Sequence, residues 1–207
     1  MLEGAMAETM QSGSTAAGVV ESTDPRILRS RRMLMDSLLK LLDEKEFDAI
    51  SVQEIAERAT LNRATFYLHY PDKNALLQAM TAARFHELIA RRGLSFTDCD
   101  GGLRAIALGV CDYLSETAGC PSQLTKMPLE GSIIPAVEGM FREGTGKHEV
   151  PAGVDTEMLG TAAAWAVFGA ARRWLQTPGR MPAEEMAARI EAMVKPILMS
   201  AAGSGLS

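Results

Sequence analysis

Aromatic residues are scarce in this chain, with two Trp, three Tyr and six Phe among 207 residues. Any core must therefore rest on Leu, Ala, Met, Ile and Val, a palette that suits helices better than sheets. Cysteine is equally sparse. Cys99, Cys111 and Cys120 fit no CxxC or zinc spacing, and an odd number makes no disulfide framework, so they read as reduced, mostly buried thiols. His69, His86 and His148 are spaced in no pattern that suggests a metal site. No apolar run is long enough to span a bilayer, and no charged-then-apolar segment opens the chain, so a cytoplasmic protein with no membrane partner is expected. Catalytic signatures are missing as well: there is no GxSxG, Walker loop or HExxH. Scattered carboxylates such as Glu116 and Glu138 read as solvated faces, so the chain is expected not to be an enzyme and to carry no cofactor.

What is present is the composition of a folded protein, 47% hydrophobic and 23% charged, in a chain long enough to bury a core without disulfides or metal. The net charge of −5 argues by itself against a nucleic-acid partner. Its distribution argues the other way. Residues 24–92 carry a net +2 and the remainder −7. A mildly basic segment is joined to an acidic body, and a modest local excess suffices where the basic residues share one face.

Residues 1–23, rich in Gly, Ala, Ser and Thr without sustained period, read as a disordered tail. Asp24–Pro25 is a helix start, Asp as cap and Pro at the first position. The helix that follows places Leu34, Leu38, Leu41 and Leu42 on one face and Arg26, Arg29, Arg31, Arg32 and Lys40 on the other. Ser51–Val52–Gln53–Glu54 is a capping box opening a short amphipathic helix through Ile55, Ala56 and Ala59. After a break at Thr60–Leu61, Asn62 can cap a second short helix, Arg63 to His69. Asp72 can cap a longer helix through Leu76, Leu77, Met80, Phe85, Leu88 and Ile89. Gly93 marks a boundary. Beyond it the spacing predicts helices over Leu103–Thr117, Ile134–Arg142, Asp155–Gln176 and Pro182–Met199, with an irregular stretch around Pro121, Pro128 and Gly131.

Two short helices joined by a tight turn and resting on a longer one form a helix-turn-helix. Leu61 and Phe66 plug the space between them, small Ala56 lets them approach, and Arg63, Thr65 and Tyr67 face outward toward base edges.

The stretch Ile50 to Leu77, ISVQEIAERATLNRATFYLHYPDKNALL, resembles the DNA-binding region of the TetR family of bacterial regulators. The resemblance lies in the cap with Ile55–Ala56, the Arg-x-Thr-Phe-Tyr of the second helix, the pair His69–Tyr70, and Asp-Lys before paired leucines. It covers about a quarter of the chain. Two positions depart from the family habit. Thr60 stands where Gly is usual, and a β-branched residue is costly at positive φ, so the turn is expected to be wound slightly differently. Ala64 stands where Gly is common.

The resemblance implies an all-α fold: an N-terminal three-helix DNA-binding domain with a helix-turn-helix over residues 24–92, then a C-terminal helical effector-binding and dimerisation domain over 93–207. It implies a transcriptional regulator, a ligand-responsive repressor that binds a palindromic double-stranded operator as a homodimer. Arg63 would read guanine, its fork matching O6 and N7. Thr65 would touch a thymine methyl or a phosphate. Tyr67, His69 and Ser51 would donate to phosphates. Lys73 would meet a phosphate by charge and through the backbone N–H groups beside it, with Arg31 and Arg32 near the flanking backbone. The two last helices would pair with their copies through small residues from Leu159 to Ala171 and through Met186, Ile190, Met193 and Val194. The middle helices would enclose a small apolar effector among Cys111, Tyr113, Met127, Met140, Phe141, Trp165 and Phe168, where methionine adapts to varied shapes. The alternative is a helical small-molecule carrier without DNA function, which has no need of the cluster from Arg63 to Lys73.

Overall fold

The computed structural model describes residues 24–95, 101–119, 129–145 and 155–200. The tail at 1–23 and the pocket candidate Met127 lie outside them. The described residues form helices only: α1 (Pro25–Glu44), a 3-10 turn (Phe47–Ala49), α2 (Val52–Arg58), α3 (Arg63–His69), α4 (Lys73–Arg91), α5 (Gly102–Gly119), α6 (Leu129–Thr145), α7 (Thr156–Leu175) and α8 (Ala183–Ser200). No helix among them is long and apolar enough to cross a membrane.

The starts follow from the caps. The carboxylates of Asp24, Asp72 and Asp155 each accept a backbone N–H of the first turn, Asn62 does so with its side-chain oxygen, and Ser51 completes the reciprocal box with Glu54. Pro25 fills the first position of α1, where no N–H is needed. α4 ends in a Schellman arrangement. Gly93 takes φ +67, its N–H reaches Ala90 O at 2.9 Å, and Leu94 N–H reaches Ile89 O at 3.2 Å.

α6 departs from the sequence reading. It begins at Leu129 and runs through Gly131 and Pro135 without breaking. Pro135 has no N–H for the carbonyl of Gly131, four residues back. That carbonyl accepts instead from Gln78 Nε2 on α4, at 3.4 Å. A neighbouring helix supplies the missing donor, which no local pattern reveals.

Two apolar interiors result. The smaller gathers Leu34, Leu38, Leu41 and Leu42 of α1 with Phe47, Ile50, Ile55, Ala56, Phe66, Tyr70, Leu76 and Leu77. The larger gathers Phe85, Leu88 and Ile89 of α4 with most of α5 and the inner faces of α6, α7 and α8. α5 is the central helix and packs on α4, α7 and α8. At Gly109 it passes so close to α4 that a Cβ would stand 3.1 Å from a side-chain carbon of Ile89, which would have to shift to admit it. The interiors meet within α4, whose first half belongs to one and second half to the other.

α4 is also tied to the body by charge. Arg92 Nε and Nη2 donate to the two carboxylate oxygens of Asp112 on α5 at 2.6 and 2.7 Å, and Nη1 donates to Glu184 on α8 at 2.6 Å. Arg84 and Arg91 both reach Glu116 of α5.

Candidate nucleic-acid interface

α2 and α3 are joined by a turn that reads as a second Schellman motif. Thr60 N–H reaches Glu57 O and Leu61 N–H reaches Ala56 O, both at 2.9 Å. Thr60 holds φ +54, among the described residues the one non-glycine at positive φ. The expectation of a differently wound turn is thus corrected: the turn keeps its left-handed geometry and Thr60 bears the strain. What compels it is the packing on either side. Ala56 and Phe66 are fully buried, and Leu61 packs against the same interior. Burying a Phe ring stabilises by about 2–3 kcal/mol, more than the strain of one residue.

The short helix α2 is braced from outside. The Ser51 hydroxyl accepts Glu54 N–H at 3.2 Å and donates to the Glu54 carboxylate at 2.8 Å, and Ser51 N–H donates to the same carboxylate at 2.9 Å. Lys45 pairs with Glu54 from the end of α1, and Arg58 forms a two-point pair with Glu44. Donation from Lys45, then from Ser51, holds the Glu54 carboxyl down at about 2. The hydroxyl proton of Ser51 is therefore committed to Glu54, and a phosphate would have to compete for it.

Phe66 sets the inward direction of α3, and the other side chains take their places around the wheel. Arg63 and Tyr67, one turn apart, are exposed and coupled. Arg63 Nη2 and Nε donate to Tyr67 Oη at 3.1 and 3.4 Å, and the guanidinium carbon lies 5.4 Å from the ring centroid. Nη1 and the second hydrogen of Nη2 stay available in the end-on geometry that matches guanine. Thr65 is half-buried, its hydroxyl donating to Asn62 Oδ1 at 2.9 Å. His69 is half-buried too. Desolvation, then the nearby charge of Arg31, lowers its pKa, so the imidazole is neutral at pH 7 and offers one N–H. Arg31 Nε is itself buried with no hydrogen-bond partner.

Lys73 does not follow its expected role. Its ammonium turns inward, donating to the carbonyls of Phe47, Ile50 and Asp48 at 2.9, 2.8 and 3.1 Å, 4.7 Å from the centroid of the Phe47 ring. The phosphate contact through its charge is corrected to a latch: Lys73 ties the start of α4 to the turn that leads into α2. The missed residue is Leu68, which stands 81% exposed on α3.

In the body, Cys111, Tyr113, Met140, Phe141 and Phe168 share the large interior. Burial, with the charge of Asp112 beside it, pushes the Cys111 thiol up to about 12, so it is inert at neutral pH. Tyr113 sits edge-on to Phe85, ring centroids 4.9 Å apart. Trp165 is not with them: it stands half-exposed on the outer side of α7, because that helix buries Ala164, Val167, Phe168 and Ala171. The residues expected at the subunit interface divide between the two sides of α7 and α8, with Ala162 and Met193 outward. Ala163, Val167, Ala171, Met186, Ile190 and Val194 pack inside the subunit, and the faces left outward carry Met158, Ala162, Trp165 and Gly169 on α7 and Met193 on α8. An open apolar recess of about 390 Å³ lies where α7 and α8 join, between Trp174, Met181, Met186 and Met193.

One long helix and two short ones around a small interior, the short pair joined by a tight turn and followed by a second long helix that runs into a larger bundle, form a helix-turn-helix. Residues 34–80 match the profile of the bacterial regulatory proteins of the tetR family, a match confined to the N-terminal helices. The chain is 29% identical over 99 residues to the uncharacterized HTH-type transcriptional regulator YxbF of Bacillus subtilis, covering 47% of this chain and 26% of that protein. It is 37% identical over 49 residues to YuxN of the same organism, covering 24% and 17%. The chain thus spans about a quarter or less of the length of these relatives. Over 86% of its length it superposes on 99% of a TetR-family regulator from Streptomyces coelicolor, with a TM-score of 0.58 and 18% identity, a likeness of fold.

Proposed function

We propose that the protein is a DNA-binding transcriptional regulator that docks α3 in the major groove of a palindromic operator as a homodimer, and acts in the cytoplasm as a ligand-responsive repressor. The observation that carries this reading is the outward face of α3. It presents Arg63, Thr65 and Tyr67 over a buried Phe66, contains no Asp or Glu, and belongs to the basic part of the chain. Arg63, pre-set against Tyr67, reads guanine. Tyr67, His69 and the α4 N-terminus hold phosphates, and Ser51 joins them by exchanging its bond to Glu54.

Residues 24–92 serve as the DNA-binding unit and 93–207 as the effector and dimerisation unit. Two copies join through the outward Met158, Ala162, Trp165 and Gly169 stripe of α7 with Met193 of α8, giving the two-fold symmetry that matches a palindrome. An apolar effector lodges among Tyr113, Met140, Phe141 and Phe168, and by preferring a different spacing of the two α3 helices it releases the DNA.

The test is selection from a genomic DNA library, then titration of the recovered site at several salt concentrations with wild type and Arg63→Ala. A palindromic site is expected. Arg63→Ala should relax preference at one base position in each half-site at a cost of about 1–3 kcal/mol. Absence of any enriched sequence, with weak binding even at low salt, refutes the reading and brings forward the carrier.

A further inference from the structure

The centre of the α3 face carries methyl groups, not donors. With Phe66 fixing the inward direction, residues two before and two after it lie about 200° round the helix and point furthest from the interior. These are Ala64 and Leu68, both exposed, and Leu68 at 81% is the most exposed large apolar side chain among the described residues. A lone exposed Leu on an arbitrary surface needs no explanation. This one is placed between polar neighbours, with Thr65 and the Arg63–Tyr67 pair on its flanks. It contributes nothing to the small interior below.

We propose that Leu68, with Ala64 beside it, is a specificity-determining contact that takes the C5-methyl of a thymine. This rests on the DNA-binding reading above and deepens it. In the major groove each base edge offers donors and acceptors, and thymine alone among the four standard bases adds a methyl. A Leu side chain gains nothing from the polar edges, which would lose water against it, so its preferred neighbour is that methyl. Arg63 and Leu68 are five residues apart, about 7.5 Å along the helix axis at 1.5 Å per residue, or about two base-pair steps. The face therefore reads a guanine and, about two steps away, a thymine.

The test replaces each thymine of the selected operator in turn by deoxyuridine, which deletes the methyl and leaves every hydrogen-bonding group. Wild type, Leu68→Ala and Leu68→Met are titrated on each duplex. For wild type, one position per half-site is expected to lose about fourfold in affinity, the worth of one buried methyl. Leu68→Ala should bind thymine and deoxyuridine there equally, and Leu68→Met should keep the discrimination. Leu68 is exposed, so the variants should melt as wild type does. An unaltered deoxyuridine penalty in Leu68→Ala, or no penalty anywhere in wild type, overturns this proposal while a recovered palindrome leaves the regulator reading standing. Failure to recover any DNA overturns both.

Discussion

Replacing Thr60 by Gly should make the protein more stable, although it removes a side chain and touches no interior. Thr60 sits at φ +54, the left-handed region in which an L-residue is strained by about 1–2 kcal/mol and a β-branched one lies at the upper end. Glycine relieves that strain and loses about 0.5–1 kcal/mol through the greater freedom of its unfolded chain. The Thr60 hydroxyl bond to Ala59 O, 2.7 Å, is made at an exposed residue where water replaces it. The net gain is about 1–1.5 kcal/mol, a rise of about 3 °C in Tm for a chain of this size. The same motif at the end of α4 already uses a glycine, Gly93 at φ +67, so the substitution installs a solution this molecule employs elsewhere. The assay is urea denaturation of wild type, Thr60→Gly and Thr60→Ala, read as a midpoint shift at constant slope. Thr60→Ala keeps the Cβ and should gain less than Thr60→Gly. If Thr60→Gly is no more stable than Thr60→Ala, or falls below wild type, the assignment of strain to this residue is wrong.

The remaining predictions concern charged groups. Lys73→Met should destabilise by about 2–3 kcal/mol, because three carbonyls lose a charged donor, and should leave the salt dependence of DNA binding unchanged. A salt slope flatter by about one unit would instead put the ammonium on a phosphate. Glu54 titrates lower in the folded chain, about 2 against an ordinary 4.5, so its stabilisation is complete above about pH 4.5 and drains away as the pH falls toward 2. Stability curves of wild type and Glu54→Gln should therefore converge across that window; parallel curves would remove the carboxylate from the acid response.

Much of this was legible in the chain because it is local. The caps at Asp24, Ser51, Asn62, Asp72 and Asp155 depend on residues two or three apart, and each helix begins where its cap stands. Phe66 was legible because period alone sets its face. Lys73 was not: its side chain swings freely at the sequence level, and only the fold brings carbonyls from 23 to 26 residues back within its reach. The turn at Thr60 failed for a related reason, since local propensity argued against positive φ and the burial of Ala56 and Phe66 overrode it. On α7 and α8 the apolar period marks the stripe that will be covered but does not name what covers it. A stripe that faces a sister helix and one that faces a second subunit look alike until the helices are placed. Leu68 could have been found from the wheel itself, two residues past Phe66.

The sharing of α4 between two interiors bears on anyone who would transplant the N-terminal unit onto another body. A join anywhere within that helix is a coupling between two shafts, and it must keep phase. Adding or deleting one residue between Leu77 and Phe85 turns everything beyond it by about 100° and moves it about 1.5 Å along the axis. Leu88 and Ile89 would then swing out of register with α5, and the narrow crossing at Gly109 leaves no slack to absorb the turn. A graft should tolerate seven added residues far better than one, since seven nearly complete two turns, and the lengthened hybrid would hold its reading heads farther from its bundle while keeping their bearing.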